Sequence, residues 1–348
     1  MNSYRQRNID LTENKKIIIA VDAMGGDKAP VETVKGAVLA LNTPGDFVIK
    51  LVGDESRVNE ELSKYTYDKT RLEVVHASQV IETEESPVKA IKTKKDSSMV
   101  KSFMLLKNGE ADAFVTCGNT GATLVGGQVI AGRIKGVERP ALGFIVPTLK
   151  GPALIIDCGA NVDAKPANLV QFAEMGYIYM RDVVKVDNPR VGILNIGEEE
   201  EKGNNLVKET FPLLKENKNI NFTGSIESRG IPYGEADVIV CDAFVGNLVL
   251  KMYEGVCAAL LKEIKDAMMS TTKTKIGALL IKKELKKTLK KFSIEEYGGA
   301  PLMGLKSIVI KTHGSSDAVE IKNSILQSVN CIETNVVEKI ANSIKGDE

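Results

Sequence analysis

Short apolar runs, glycine-rich or polar turns and stretches of helical period alternate along nearly the whole chain. Residues Ile17-Ile18-Ile19-Ala20-Val21 are continuously apolar, the pattern of a strand buried on both faces. The turn Asp22-Ala23-Met24-Gly25-Gly26-Asp27 follows. A helix comes next, with Pro30 near its first turn and Val31, Val34, Ala37, Val38 and Leu41 as its buried stripe. The cycle recurs, with strands predicted at 47–52, 72–75, 113–116, 154–156, 191–195, 238–240 and 307–310 and helices around 87–94 and 98–106. Such alternation predicts an α/β protein built from right-handed crossovers, with a mainly parallel sheet and helices on both faces. Ligands bind such sheets at the carboxyl ends of the strands, and the polar motifs of this chain follow the strands. No linker-like stretch divides residues 16–348, which are read as one catalytic domain.

One region departs from the cycle. Residues 247–270 have the pattern of a long helix, 271–275 of a polar break and 276–292 of a second helix. From Lys273 to Lys291 there are eight lysines and one glutamate. Ile281, Leu285, Leu289 and Phe292 share one helical face, and Lys283, Lys286, Lys287 and Lys290 lie opposite. Ile276, Leu279 and Leu280 fall off that stripe, near the tip. The pattern predicts a projecting helical hairpin at about 247–292. Its apolar tip and lysine face suit an anionic membrane surface and an acidic partner protein. The alternative is that the stripe packs in a dimer interface and the lysines are simply solvated.

Composition narrows the partners. The 348 residues carry 46 Lys+Arg and 46 Asp+Glu, a net charge of zero, which excludes nucleic-acid binding by bulk positive charge. Five cysteines form no C-x-x-C pair and no metal-ligand spacing with the two histidines, so reduced thiols of a cytosolic protein, and no metal, are expected. Residues 1–15 are polar and lack the apolar core of a secretory signal, and are read as a floppy extension. No continuous apolar run approaches the roughly 20 residues of a membrane span.

Several turns carry candidate chemistry. Gly25 and Gly26, flanked by Asp22 and Asp27, let a backbone approach an anion at a helix start. They lack the spacing of a dinucleotide or P-loop motif, and a tight turn capped by Asp27 explains them equally well. Cys117-Gly118-Asn119-Thr120-Gly121 offers donors at another strand end, as anion ligands or as a helix cap. Asp157-Cys158-Gly159-Ala160-Asn161 and Asp242-Ala243-Phe244-Val245-Gly246-Asn247 each place an aspartate at a strand end, expected to face the cleft, and an asparagine at a helix start. Lys92, Lys95 and Ser98 are phosphate-ligand types on what is otherwise a solvated face. His313-Gly314-Ser315-Ser316-Asp317 combines a side chain that titrates near neutrality with hydroxyls, and Tyr297-Gly298-Gly299-Ala300 is a second glycine-rich approach. The alternative for the former is a structural histidine with Ser315 or Ser316 as a cap.

Eight strings occur in order across residues 21–318. They are V-D-A-M-G-G-D, K-K-D-S-S-M, C-G-N-T-G-A, R-P-A-L, D-C-G-A-N, C-D-A-F-V-G-N, Y-G-G-A-P-L-M-G and H-G-S-S-D-A. Together they resemble the bacterial phosphate acyltransferases, the acyl-ACP:phosphate transacylases of phospholipid synthesis. The resemblance implies a three-layer α/β/α sandwich related to phosphotransacetylases and isocitrate/isopropylmalate dehydrogenases. It implies a cytoplasmic homodimer without a cofactor, associated with the inner face of the membrane through the hairpin. The implied reaction moves a long acyl chain from acyl carrier protein to inorganic phosphate, giving acyl phosphate for a glycerol-3-phosphate acyltransferase. Under it, His313, Asn119, Asp22, Asp157 and Asp242 are catalytic candidates. Gly25, Gly26, Asp27, Lys92, Lys95, Ser98, Thr120, Arg139, Asn161, Asn247, Gly298, Gly299, Ser315 and Ser316 are phosphate-site candidates. Rival readings are a phosphotransacetylase acting on short acyl-CoA, an NAD-dependent decarboxylating dehydrogenase and a non-enzymatic membrane scaffold.

Overall fold

A computed structural model describes residues 16–290 and 297–345. The first half alternates β1 (Ile17–Asp22), α1 (Val31–Leu41), β2 (Phe47–Gly53), α2 (Glu55–Leu62) and β3 (Leu72–His76). It continues with α3 (Pro87–Thr93), α4 (Ser98–Asn108), β4 (Ala113–Thr116) and α5 (Thr120–Gly126). A hairpin follows, β5 (Ala141–Thr148) and β6 (Gly151–Ile156), then α6 (Pro166–Asp182), β7 (Arg190–Asn195), α7 (Asn205–Glu216), β8 (Asn221–Glu227) and β9 (Val238–Val240). The chain continues with α8 (Ala243–Met269), α9 (Thr272–Lys290), β10 (Ala300–Met303), β11 (Ile308–Lys311), α10 (Ala318–Glu333) and α11 (Val336–Lys345).

The eleven strands form one sheet in the order β3-β2-β1-β4-β11-β10-β5-β6-β9-β7-β8. Period-two alternation sorts the side chains into layers. Ile19 and Val21 of β1 join a core with α1, α6, α7 and α10, whereas Ala20 faces α4. Leu154 and Ile156 of β6 join the first core, whereas Ala153 and Ile155 join Leu250 of α8 on the opposite face. The result is an α/β/α sandwich.

Strand direction decides where the motifs meet. β3, β2, β1, β4 and β11 are mutually parallel. β10 is antiparallel to both β11 and β5, and β5 is antiparallel to β6. β6, β9, β7 and β8 are again parallel to one another. Three reversals leave the second block running opposite to the first. The carboxyl ends of β1, β4 and β11 therefore lie on one rim of the sheet and those of β6, β9 and β7 on the other. The expectation that all strand-end motifs line one cleft is corrected here. Apolar periodicity reports burial, but it is blind to the reversals introduced by β5 and β10.

The hairpin is present with shifted bounds. α8 begins at Ala243 because the Asp242 carboxylate accepts from Phe244 N and Val245 N, so Asp242 is the cap and Asn247 lies inside the helix. The break is a tight turn before Thr272. α8 starts at the second rim and packs Val245, Val249 and Tyr253 on the core. The Tyr253 hydroxyl donates to Pro147 O at 2.6 Å, near the end of β5 and hence at the first rim. The rest of α8 extends roughly 24 Å further, by the helical rise of about 1.5 Å per residue. Among the described residues α8 is the one helix long and apolar enough to cross a membrane by length and composition. Counting uninterrupted apolar runs missed it, because Lys251 and Glu254 break the run without making the helix polar overall. Ile276, Leu279 and Leu280 are 58%, 70% and 80% exposed. Ile281 and Leu289 are exposed too, and Leu285 is half-buried, so the expected stripe is only partly covered. Residues 1–15, Phe292 and the Lys290 side chain lie outside the described residues.

Candidate active site

Asp22, Thr116 and Lys311 stand in one row at the first rim. Thr116 pairs in register with Lys311, and the Val21–Val115 pair puts Asp22 beside Thr116 one residue on. In-register residues of parallel strands point to the same face, about 4.8 Å apart. The Thr116 hydroxyl donates to Asp22 Oδ2 at 2.9 Å. Asp22 also accepts from Met24 N at 3.2 Å, from Gly25 N and from the Ser98 hydroxyl at the start of α4. Burial raises the Asp22 pKa, and these four donors oppose the rise. Ser98 is thus an internal ligand of Asp22, 1% exposed, and not a phosphate ligand at the surface.

Three turns close over this row. A Cβ on Gly25 would lie 2.5 Å from Asp22 Oδ2 and 2.8 Å from Gly118 N, so no side chain fits between the turns. Gly26 adopts φ +97°, a left-handed conformation natural to glycine. Asp27 N donates to Gly314 O at 2.8 Å and Lys28 Nζ to Ser315 O at 2.6 Å, which ties the turn after β1 to that after β11. Glycine 299 abuts the same place: its Cβ would lie 2.8 Å from Lys311 O. The Gln327 amide holds this loop, accepting from Gly299 N at 2.9 Å and donating to Gly299 O at 3.0 Å, while Gly298 packs on Gln327 Oε1.

His313 is exposed, with Nδ1 2.8 Å from the Ser315 hydroxyl. That contact engages Nδ1 and leaves Nε2 as the ring nitrogen open to a ligand. Ser316 is buried, and the cap of α10 is Asp317, which accepts from Val319 N and Glu320 N. Thr120 is exposed at the start of α5. Asn119 departs from the expectation of an oxyanion donor. Its Oδ1 accepts from Ala122 N at 2.9 Å, and its Nδ2 is spent on the carbonyls of Glu82, Thr83 and Glu85. It therefore positions α5 against the loop before α3. Cys117 is not an activated nucleophile: burial pushes its thiol up to about 11, and the Thr312 hydroxyl contacts its sulfur at 2.7 Å.

Lys311 was missed by sequence reasoning. It is 7% exposed and is the one buried Lys or Arg among the described residues. Its Nζ donates to Cys117 O at 3.4 Å and to Thr312 O. Burial pushes its pKa down to about 8, against the pull of Cys117, Asp22 and Asp27. The available signal was a charged residue closing an otherwise apolar interior strand. Lys92 is exposed on α3, and Lys95 Nζ is bonded to Ile91 O at 3.0 Å, so neither supplies the cation of the row.

The remaining candidates gather at the second rim. Asp157 is fully buried and accepts from the backbone N–H groups of Leu142, Gly159, Ala160 and Asn161 and from Asn161 Nδ2. The Asn161 amide also donates to Pro140 O at 2.8 Å, next to the exposed Arg139. Ala243 N donates to Asn161 O, joining the Asp242 cap to the same knot. Asp157, Asn161, Asp242, Asn247 and Arg139 therefore do not join His313. The hydrogen bonds of Asp157, Asn161 and Asp242 hold β5, β6 and α8 together.

The family model described as fatty acid synthesis protein matches residues 17–339. A phosphate acyltransferase of Clostridium novyi is 50% identical over 94% of this chain and 98% of its own. One of Clostridium beijerinckii is 51% identical over 94% and 99%. In fold, a phosphotransacetylase of Streptococcus pyogenes superposes with TM-score 0.59 at 17% identity, covering 95% of both chains. The EutD phosphotransacetylase of Staphylococcus aureus superposes with TM-score 0.56 at 16% identity, covering 93% and 96%.

Proposed function

We infer the details of the reaction from one premise: the chain belongs to the phosphate acyltransferases of the fatty acid synthesis protein family. It is an enzyme that transfers an acyl group to phosphate. The finer reading is that the donor is a long-chain acyl group on acyl carrier protein and that the product, acyl phosphate, serves phospholipid synthesis. A phosphate oxygen attacks the thioester carbonyl, forming a C–O bond. The C–S bond then breaks, and the thiolate leaves and takes up a proton. No covalent enzyme intermediate is needed, in keeping with a Cys117 thiol that burial holds protonated at neutral pH.

The observation that carries this reading is the convergence of three glycine turns on the Asp22–Thr116–Lys311 row. Preorganised backbone turns and a cation at one rim suit a compact polyanion, and holding it against the carbonyl is the main catalytic task. His313 is exposed at that rim, which supports a role in binding the phosphate or handing a proton to the departing sulfur.

The hairpin supports the long-chain donor. It leaves the body at the rim of the row and carries the exposed apolar tip and the lysines of α9. An anionic bilayer and the acidic carrier protein would both be drawn there. The exposed i, i+4 series Phe244, Leu248, Met252, Val256 and Leu260 on α8 supports pairing with a second copy. A cytoplasmic enzyme at the inner membrane face is the matching location, and fractionation of cells checks it.

Thiol release from long-chain acyl carrier protein and from acetyl-CoA, each with and without orthophosphate, tests the reading. The expected result is acyl phosphate from the carrier-bound donor, strictly dependent on phosphate. Turnover of acetyl-CoA alone would replace it with the short-chain reading, and phosphate-independent release would remove phosphate as acceptor.

A further inference from the structure

A buried ammonium without a carboxylate in hydrogen-bond contact is an incomplete arrangement. Among the described residues Lys311 donates only to neutral carbonyls, those of Cys117 and Thr312. Removing a cation from water is costly unless an anion compensates, and two peptide carbonyls offset only part of that cost. The nearby acids do not complete the balance. Asp22 is engaged by its own four donors, and it and Asp27 pull on the Lys311 amine only through space. Asp27 is exposed on the turn. Yet Lys311 stands under the junction of the turns, with Thr116 beside it in register and the Gly299 loop against its carbonyl.

We propose that Lys311 is the internal counter-charge for the phosphate substrate: the enzyme keeps one cation unneutralised beneath the Gly25–Gly26 and His313–Ser316 turns, and the arriving anion completes the pair. The inference rests on the acyl-transfer reading above and assigns a role to a residue outside the glycine and histidine motifs. Lys311 acts as a positioning residue. Its field favours the dianion, and its two hydrogen bonds hold the ends of β4 and β11, from which the flanking turns spring. Around it the titratable groups are the Cys117 thiol just after β4, Asp22 at the end of β1 and Asp27 from the turn that follows, with Lys28 and His313 at the rim. Anion binding favours the protonated amine, so phosphate affinity falls once Lys311 loses its proton.

Calorimetric titration of the full chain with inorganic phosphate at pH 7.5 and 9.5 tests this directly. Over that range phosphate is largely dianionic, so its own ionisation does not weaken binding. With the amine titrating at about 8, wild-type affinity should drop about tenfold between the two conditions. Lys311→Arg, which stays charged, should bind with little pH dependence, and Lys311→Gln should bind weakly, about tenfold or more, at both. A Lys311→Gln protein with wild-type affinity and pH profile overturns the inference and leaves acyl transfer standing. Wild-type protein that neither binds phosphate nor makes acyl phosphate overturns the acyl-transfer reading, and this inference with it. Should Lys311→Gln not fold, lysine carbon-13 spectra of the wild type decide. The resonance absent from Lys311→Arg should titrate near 8 and move upward with phosphate, and a resonance indifferent to phosphate rejects the proposal.

Discussion

Two buried aspartates end strands in this molecule, and each is followed by a glycine-containing loop. Asp22 and Asp157 look alike in sequence, yet their surroundings differ in kind. Asp157 is saturated by five donors, four of them backbone N–H groups. Asp22 also organises its own turn, but it shares a row with Lys311, a cation lacking a formal partner in contact. A saturated carboxylate is architecture. A rim that keeps an unbalanced charge is prepared for a ligand.

Mutations can break that comparison. The largest effect is expected at Asp22. Asp22→Ala frees Thr116, Ser98, Met24 N and Gly25 N from their acceptor, and acyl-phosphate formation should fall by about 100-fold or more, the scale of losing preorganised donors. Turnover near the wild-type rate would show that the turn does not depend on its carboxylate. Asp157→Ala should do the reverse. It strands several buried N–H groups and should cost about 3–5 kcal/mol in denaturant unfolding, while the folded fraction keeps its kcat. An inactive but stable Asp157→Ala protein would merge the two rims functionally.

The charge at Lys311 gives a smaller, pH-dependent signature. Its folded pKa, about 8, lies below its ordinary 10.5, so between these values the unfolded chain holds the proton that the fold releases. Stability of the ligand-free protein should therefore rise as pH climbs from 8 toward 10.5, by up to about 3–4 kcal/mol at about 1.36 kcal/mol per unit. Lys311→Gln should lack this rise, and equal slopes in the two proteins would mean that the amine is not desolvated.

The smallest effect on chemistry concerns the hairpin. Leu279→Glu with Leu280→Glu should reduce co-sedimentation with anionic vesicles several-fold and leave turnover of a soluble donor intact. Unchanged co-sedimentation removes the membrane role from the tip.

Much of this was readable without coordinates. The apolar runs marked the strands of the first block, and an apolar helical face opposite clustered lysines marked the hairpin. The glycine-rich turns at Asp22–Asp27, Cys117–Gly121 and His313–Ser316 do meet at one rim. The reading went astray where local pattern and global direction separate. Asp157, Asn161, Asp242 and Asn247 carry the same strand–turn–polar signature, yet β5 and β10 reverse the sheet and send them to the other rim. Ser98 and Asn119 are of the right type to bind an anion, but their groups are committed to Asp22 and to the loop before α3.

The sequence by itself marked β1 to β4, β6, β7, β9 and β11 but not β5, β8 or β10, and it showed which turns admit a backbone close to a ligand and which family the chain resembles, because periodicity and glycine placement are local properties. Tertiary structure alone decided which turns share a rim, which polar groups have spent their hydrogen bonds and that Lys311 is buried. Each of those depends on how distant strands pair and point, and a one-dimensional pattern carries no sign for direction.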